Sequence, residues 1–175
     1  MLAGYQPIGA MLCQSEIYQA ISEGSGFFQH GHTYLGHPVA AAAGCAVFKE
    51  IDSKDLVSRV RDLGPRFESA LREQFLDHQM VGDIRGRGLF WAIELVSNKE
   101  TKEPFDPALR LAANIKKAAF ENGLICYPMA GTRDGVKGDH VLLAPPFIID
   151  DVQIEELIGK LASAIDVCAP QHTAA

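Results

Sequence analysis

The sequence lacks the features that mark membrane-spanning, secreted and nucleic-acid-binding proteins. No apolar run approaches the roughly 20 residues that cross a bilayer, and the first residues, MLAGYQPIGAML, carry no basic segment of the kind that begins a signal peptide. Basic residues are scattered and outnumbered: 16 Lys and Arg stand against 22 Asp and Glu, a formal net charge of −6. We therefore expect a cytoplasmic protein that binds neither nucleic acid nor a membrane.

Cysteine is also scarce, and its spacing argues against two kinds of site. The 4 cysteines are far apart and form no C-x-x-C pair, so neither a disulfide framework nor a zinc finger is expected. They are predicted to be free, buried thiols: Cys13, Cys45, Cys126 and Cys168. The remaining composition, 47% hydrophobic and 22% charged, is that of an ordinary globular protein with a core.

The N-terminal part of the chain is predicted to be helical, without a strand. Glycine-rich loops surround one short helix at 15–21, for which Ser15 is the expected N-cap. A second helix is expected to start at Pro38, and the apolar residues of 56–75 recur at helical spacing. Gly64–Pro65 interrupts this last stretch and predicts a kink, because the apolar stripe resumes in phase after it.

From Met80 onward the pattern predicts an α+β unit with antiparallel strands. A short strand, a glycine turn at 86–88 and a longer strand come first. Further strands are expected at 124–128 and 140–145, separated by a glycine-containing loop.

Two helices are predicted to cover this sheet. Asp106 caps the first and Pro107 occupies its first position, and the helix should reach about Asn122. The second begins at a capping box formed by Asp150 and Gln153, after which apolar residues line one face.

The stretch FFQHGHTYLGHPVAAAAG, residues 27–44, supports more than one function. His30, His32 and His37 could bind zinc, although no acidic residue lies between Glu23 and Lys49 to complete such a site. The same stretch offers a hydroxyl and backbone N–H groups shortly before a helix N-terminus, an arrangement that favours phosphate. From the residues alone, an anion-binding loop and a merely structural tight turn are equally well supported.

Four segments, in this order and spacing, resemble the class III aminotransferases: GYQPIGAMLCQSEIYQAI, FQHGHTYLGHPVAAAAGCAV, VGDIRGRGLFWAIEL and GDHVLLAPPFIID. These are pyridoxal 5'-phosphate (PLP) enzymes of fold type I, and the likeness is greatest to their ω-amino-acid transaminase branch. The resemblance implies an α/β fold in three parts. Residues 1–79 would be the end of the PLP-binding large domain and a linking helix, 80–169 a small C-terminal α+β domain, and 170–175 a tail.

The resemblance also implies roles for particular residues. Thr33, together with Gly31 and His32, would bind the phosphate of the PLP held by the other subunit of a homodimer, which favours the anion-binding alternative. Tyr5 belongs to a segment that would line the substrate pocket near the dimer interface. The histidines would then be loop and interface residues and not metal ligands.

One departure from the family pattern bears on activity. The family's Schiff-base lysine precedes G-Y-x-P-x-G-A, so in this sequence it would fall just upstream of Met1, and no catalytic residue is identified. The aspartate, the phosphate loop and the aromatic residue that bind the cofactor ring would also lie upstream. We expect a truncated or split enzyme, inactive by itself, that works as a homodimer or with a missing N-terminal portion. The lysines present all occupy helix-surface or loop positions: Lys49, Lys54, Lys99, Lys102, Lys116, Lys117, Lys137 and Lys160.

A cation for the substrate carboxylate is the remaining requirement of such an enzyme. The positions at which family members place an arginine are Leu142 and Gly135 here. Arg133, on the loop MAGTRDGVKGD, is the candidate for that role, with a solvated loop charge as the alternative. Arg85 and Arg87 are expected to make structural hydrogen bonds around the glycine turn.

Three functions therefore follow from the sequence. The first is part of a PLP-dependent transaminase that moves an amino group from an amine or ω-amino acid to an α-keto acid such as pyruvate. The second is a non-catalytic dimerisation or interaction fragment of the same family. The third, a metal-dependent hydrolase using the histidines, has the least support.

Overall fold

A computed structural model describes residues 4–170 of the chain. Most of the predicted tail, 171–175, lies outside the described residues, as do residues 1–3. The chain divides into two compact units, Met1–Leu56 and Val57–Ala175. The elements, in chain order, are α1 (Ser15–Glu23), α2 (Pro38–Ser53), α3 (Leu56–Phe75), β1 (Val81–Arg87), β2 (Phe90–Leu95), a 3₁₀ turn (Pro107–Leu109), α4 (Leu111–Glu121), β3 (Tyr127–Ala130), β4 (Asp139–Leu143) and α5 (Asp151–Val167).

The first unit contains two helices and buries very little of its surface. Helix α1 has no buried residue, and α2 buries only Ala40 and Gly44. The N-cap of α1 is Gln14 and not Ser15 as predicted; Gln14 makes no side-chain capping bond. Cys13 and Cys45 are exposed, which corrects the expectation of buried thiols, because residues 4–56 form no sheet that α2 could cover. Large apolar side chains are correspondingly exposed: Tyr5, Met11, Leu12, Ile17, Tyr18, Phe27, Phe28, Tyr34, Leu35, Val39 and Phe48.

Helix α3 is the longest element of the second unit. It continues through Pro65 as one helix, although proline removes a backbone donor from the helical ladder. The apolar stripe holds the helix together across this point, because its large residues are at most 1% exposed: Leu63, Phe67, Leu71 and Phe75. Whether residues 1–79 belong to a larger cofactor-binding domain stays a prediction.

The four strands form one antiparallel sheet in the order β1-β2-β4-β3, which confirms the predicted mixed fold with an antiparallel sheet. Residues alternate between its two faces, as a pleated strand requires. Trp91, Ile93 and Val141 are buried on the face that packs in the core with Phe67 and Ile115. The alternate side chains of the same strands point to the opposite face and are half-buried or exposed.

Two boundaries in this unit differ from the sequence prediction. The helix expected from Asp106 is divided: Asp106 caps only the 3₁₀ turn, and Arg110 then adopts a left-handed conformation with φ +50° before α4 begins. The backbone N–H of Ala112 donates to the carboxylate of Asp139, 3.2 Å away, so α4 is capped from β4 and not from its own flank. Strand β3 begins at Tyr127, because Leu124 and Cys126 pack against the core before it.

Helix α5 closes the core and follows the prediction closely. The side chain of Asp150 accepts from the backbone N–H of Gln153, and the side chain of Gln153 accepts from the backbone N–H of Asp150. This is the predicted capping box, and it satisfies two donors that the first turn leaves unused. The half-buried thiol of Cys168 at the end of the helix packs against the core, and burial raises its pKa.

Candidate functional site

The segment 27–37 is an exposed loop whose turns lead into α2. The N–H of Leu35 donates to the carbonyl of His32, and the N–H of His37 donates to the carbonyl of Tyr34. Gly36 has φ +70°, a conformation that other residues rarely adopt, so this position needs glycine. Gly31 has no such requirement, and a methyl group there would meet nothing within 4 Å.

The histidines of this loop do not converge on a common point. The rings of His30 and His32 lie 5.2 Å apart in an edge-to-face arrangement, and Phe28 lies 5.7 Å from His30. Nδ1 of His37 accepts from the N–H of Ala40 at 3.5 Å and so acts as the N-cap of α2. Within residues 4–170, no group of three or more His, Cys, Asp or Glu side chains is placed to hold a metal ion.

Donors suitable for an anion remain free in the same loop. The backbone N–H groups of Gly31, His32, Thr33 and Tyr34 donate to no other group in the described part of the chain, nor does the Thr33 hydroxyl. Thr33 itself lies exposed at the first position of the turn 33–36. Several N–H donors and a hydroxyl on a short exposed loop can together coordinate a phosphate group.

Tyr5 lies in the same unit as this loop. Its side chain is 76% exposed, and no hydrogen bond joins it to Gly31, His32 or Thr33 among the described residues. The ring is therefore available to a ligand or to another polypeptide, but its hydroxyl is not held in a defined position by the described part of the chain.

Arg133 belongs to the second unit, in the loop between β3 and β4. Its Nη1 lies 3.5 Å from Oε2 of Glu103, and both side chains are more than half exposed. Two hydrogen bonds order this loop: the carboxylate of Asp134 accepts from the backbone N–H groups of Lys137 and Val136, and these bonds lower the pKa of its carboxyl. Arg133 thus has a carboxylate partner of its own, held only by an exposed ion pair of small net energy.

The arginines near the glycine turn differ from their predicted role. Arg85 does not bond to the turn; its guanidinium lies across the strands, 2.6 Å from Asp83 and 2.5 Å from Glu94. The hydrogen bonds that Arg85 donates to the carboxylates of Glu94 and Asp83 raise the pKa of Arg85. The guanidinium of Arg87 makes no hydrogen bond or ion pair with any described residue. Its side chain instead lines a groove.

This groove is the main feature that sequence reasoning missed. It has a volume of about 770 Å³ and lies in the second unit between α3, the β1–β2 turn and the segment 144–147 that follows β4. We call it the α3 groove. Its walls come from residues far apart in the chain, so no local pattern could have indicated it.

Comparison with known proteins covers nearly the whole chain. A sequence model of the family Aminotransferase class-III matches residues 1–165. A protein described as an aminotransferase from Gibberella zeae is 41% identical over 166 residues, 94% of this chain and 32% of its own. Gamma aminobutyrate transaminase 3, chloroplastic, from Solanum lycopersicum is 32% identical over 166 residues, 93% of this chain and 30% of its own.

Solved structures give the same result. A transaminase from the marine bacterium Virgibacillus superposes with a TM-score of 0.84 at 33% identity, covering 95% of this chain and 37% of that one. A PLP-bound aminotransferase mutant from Vibrio fluvialis superposes with a TM-score of 0.75 at 34% identity, covering 88% and 32%. The chain therefore spans about a third of the length of the relatives that it matches.

Proposed function

Because this chain belongs to the class III aminotransferases, we propose that it forms the C-terminal part of a PLP-dependent transaminase. The proposed reaction moves an amino group from an amine or ω-amino acid to an α-keto acid such as pyruvate. Similarity to a gamma aminobutyrate transaminase supports an ω-amino acid as donor. Four free cysteines support a reducing, cytosolic location.

The observation that carries the cofactor assignment is the free donor set of residues 31–34. Thr33 offers its hydroxyl, and Gly31 and His32 offer backbone N–H groups that no described residue uses. These groups fit a phosphate, and we assign them to the PLP phosphate of a second copy of the chain in a homodimer. When bound, PLP supplies an electron sink for the bonds around the substrate carbon.

Loss of the Thr33 hydroxyl tests this assignment without requiring catalysis. We expect Thr33→Ala to weaken binding of PLP by roughly tenfold, the size of one charge-assisted hydrogen bond, while binding of pyridoxal, which lacks the phosphate, is unchanged. Equilibrium dialysis with absorbance detection measures both, in a polypeptide extended by the missing N-terminal portion. Thr101→Ala, in an exposed loop of the second unit, is the matched control. Equal affinity of the Thr33→Ala and Thr101→Ala variants for PLP would exclude the phosphate role.

We further propose that the chain has no catalytic lysine and is inactive by itself. A nucleophilic lysine needs an environment that lowers its pKa, such as a buried site. Lys54, Lys117 and Lys160 instead pair with glutamates one helical turn away, and the pair with Glu50 raises the pKa of Lys54. Lys99 and Lys102 donate to the backbone carbonyls of Leu76 and Gly82.

Borohydride trapping tests the missing lysine. The chain is incubated with PLP and reduced, and the labelled peptides are identified by mass spectrometry. We expect low, unselective labelling spread over the exposed lysines and no transaminase activity. Stoichiometric labelling of one lysine would show that the catalytic residue lies in this chain after all.

Arg133 is the proposed binding group for the substrate carboxylate. It would exchange the exposed carboxylate of Glu103 for that of the substrate, and the weakness of that ion pair makes the exchange inexpensive. In a polypeptide extended by the missing N-terminal portion, Arg133→Ala should raise the KM for pyruvate and β-alanine about tenfold or more. Lys137→Ala, on the same loop, is the control. Unchanged KM values for both substrates would leave Arg133 as a solvated loop charge.

One observation supports the alternative of a non-catalytic interaction fragment. The first unit exposes large apolar side chains throughout, a surface typical of a polypeptide that binds another. The two functions are separated by supplying the missing N-terminal portion in trans and measuring both association and activity. Association that yields transaminase activity supports the first function, and association without activity supports the second.

A further inference from the structure

The α3 groove has the size and lining of a small-molecule site. Its volume, about 770 Å³, lies within the roughly 300–1,000 Å³ typical of such sites. Aromatic rings form much of its wall, from Phe90, Trp91 and Phe147. Trp91 is buried, and its Nε1–H already donates to the carbonyl of Gly88 at 2.8 Å, so the floor presents an apolar ring without a free donor.

Gly64 and Gly88 bring α3 close to the β1–β2 turn beside the groove. A methyl group on Gly64 would lie 2.9 Å from Cα of Gly88. The helix and the β1–β2 turn therefore touch through bare backbone.

The groove is lined by two arginines and one glutamate, and among the described residues only the arginines lack an ion-pair partner. Arg61 and Arg87 both line it, and within residues 4–170 neither guanidinium makes a hydrogen bond or an ion pair. The one carboxylate of the lining, Glu68, accepts from Nε of Arg72 at 2.9 Å and is thereby neutralised. The groove thus joins an aromatic wall to two cations that have no counterion from the chain.

From these observations we propose that the α3 groove is a binding site for an aromatic or apolar carboxylate. The rings of Phe90 and Phe147 would cover the apolar body of the ligand. Arg61 and Arg87 would bind its carboxylate, since a planar guanidinium donates two parallel hydrogen bonds to that group. The site lies wholly in the second unit and does not depend on the PLP assignment of Thr33.

The chain contains a built-in reporter for this site. Trp91 is its 1 tryptophan, so emission excited at the red edge of the tryptophan band comes from the groove. Titration with 3-phenylpropionate should change Trp91 emission saturably, with a Kd of about a millimolar or lower. The neutral isostere 3-phenylpropan-1-ol should bind at least roughly tenfold more weakly, because it has no charge for the arginines.

Charge variants identify the groups that bind. Arg61→Gln and Arg87→Gln should each weaken 3-phenylpropionate binding by roughly tenfold, and Arg87→Lys should restore part of the loss. Lys49→Gln removes the same charge from an exposed position of the first unit and should leave binding unchanged. Both arginines are exposed, so the folded state should survive these changes, which far-UV circular dichroism checks.

Three results would overturn the proposal. One is the absence of any saturable change in Trp91 emission. Another is equal affinity for the carboxylate and the alcohol, which would make the groove a general apolar surface of the kind that another polypeptide covers. The third is 3-phenylpropionate binding that neither arginine substitution weakens.

Discussion

Gly64 of α3 and Gly88 of the β1–β2 turn face each other so closely that a methyl group on the first would lie 2.9 Å from Cα of the second. The atom that it would meet belongs to the backbone and cannot rotate away. Gly88 has φ +59°, which fixes the shape of the turn on the other side of the contact. The packing of the longest helix against the sheet of the second unit therefore depends on a glycine within that helix.

Alanine at position 64 should destabilise the protein, although alanine favours a helix over glycine by about 1 kcal/mol. The steric cost of moving backbone outweighs this gain, and we expect a net loss of about 1–2 kcal/mol. Gly159 of α5 is the matched control, since a methyl group there meets nothing within 4 Å. Gly159→Ala should stabilise the protein by about 0.5–1 kcal/mol. Urea unfolding followed by Trp91 emission measures both; effects of the same sign would contradict the packing argument.

Arg59 should hold the segment after β4 against α3. Its Nε donates to the carbonyl of Phe147 at 3.1 Å and its Nη2 donates to the carbonyl of Ile149, 90 residues away in the chain. Arg59→Ala should cost about 1–2 kcal/mol and speed amide hydrogen exchange in 144–149. Arg61 lies two residues further along α3 and makes no such bonds, so Arg61→Ala should leave that exchange unchanged. Equal exchange in the two variants would show that the segment is held by packing alone.

Asp139 should make stability depend on pH in the acid range. Burial raises the pKa of this carboxyl above its ordinary value of 3.8, while the N–H of Ala112 and the nearby His140 lower it in part. The folded state therefore favours the protonated form. The resulting stability is complete below pH 3.8 and is lost as the pH rises through the folded pKa.

Two substitutions separate the charge of Asp139 from its hydrogen bond. Asp139→Asn keeps an acceptor for Ala112 and should be at least as stable as the parent at pH 7, with a smaller advantage at pH 3. Asp139→Ala leaves that N–H without an acceptor and should cost about 1–3 kcal/mol at either pH. Unfolding free energies from urea titrations at both pH values test this. An Asn variant much less stable than the parent at pH 7 would mean that the charge itself stabilises α4.

His140 should also make the stability of the protein depend on pH, in a range near neutral pH. Burial lowers its pKa below 6.5, and Arg85 lowers it further, against the opposing effects of Glu94 and Asp139. The folded state favours the neutral ring, so this contribution is present above pH 6.5 and is lost as the pH falls through the folded pKa. Its Nδ1 is buried and has no partner among the described residues.

Replacement of His140 by leucine should remove two costs to stability: the buried Nδ1 without a partner and the loss of stability at low pH. We expect His140→Leu to gain about 1–2 kcal/mol at pH 7.5, from loss of the unsatisfied nitrogen, and a larger margin at pH 5. The exposed His30→Gln serves as control and should follow the parent at both values. A constant difference between His140→Leu and the parent from pH 7.5 to 5 would show that the pKa of His140 is the same in the folded and unfolded states.

Local patterns were sufficient for much of this fold. The spacing of Leu63, Phe67 and Leu71 predicted the buried face of α3, because a helix repeats its contacts every three to four residues. Asp150 and Gln153 predicted the start of α5 through bonds that span three residues. The break at Arg110 was missed, because α4 takes its N-terminal cap from Asp139, 27 residues later.

The residues of the candidate site likewise divide into those that local sequence indicated and those whose interactions only the structure revealed. Consecutive residues supported an anion-binding loop and a structural turn equally, and the family resemblance favoured Thr33 and its neighbours as phosphate-binding residues. The structure leaves their donors free, and the phosphate role stays a prediction. The unpaired state of Arg87 was not found, since a hydrogen-bonding role near the glycine turn was the natural reading of the sequence. The pairing of Arg133 with Glu103 was equally inaccessible, because it joins two separate loops.

The sequence by itself determined the family and most helical and strand segments of the second unit, and it proposed an anion-binding loop at residues 31–34. These properties depend on the order of neighbouring residues and on periodicities of two or about 3.6 residues. Only the tertiary structure decided which charges are satisfied and where empty space remains. Arg61, Arg87 and Trp91 line one groove because folding brings α3 next to the β1–β2 turn, and a contact between distant segments leaves no local signature in the chain.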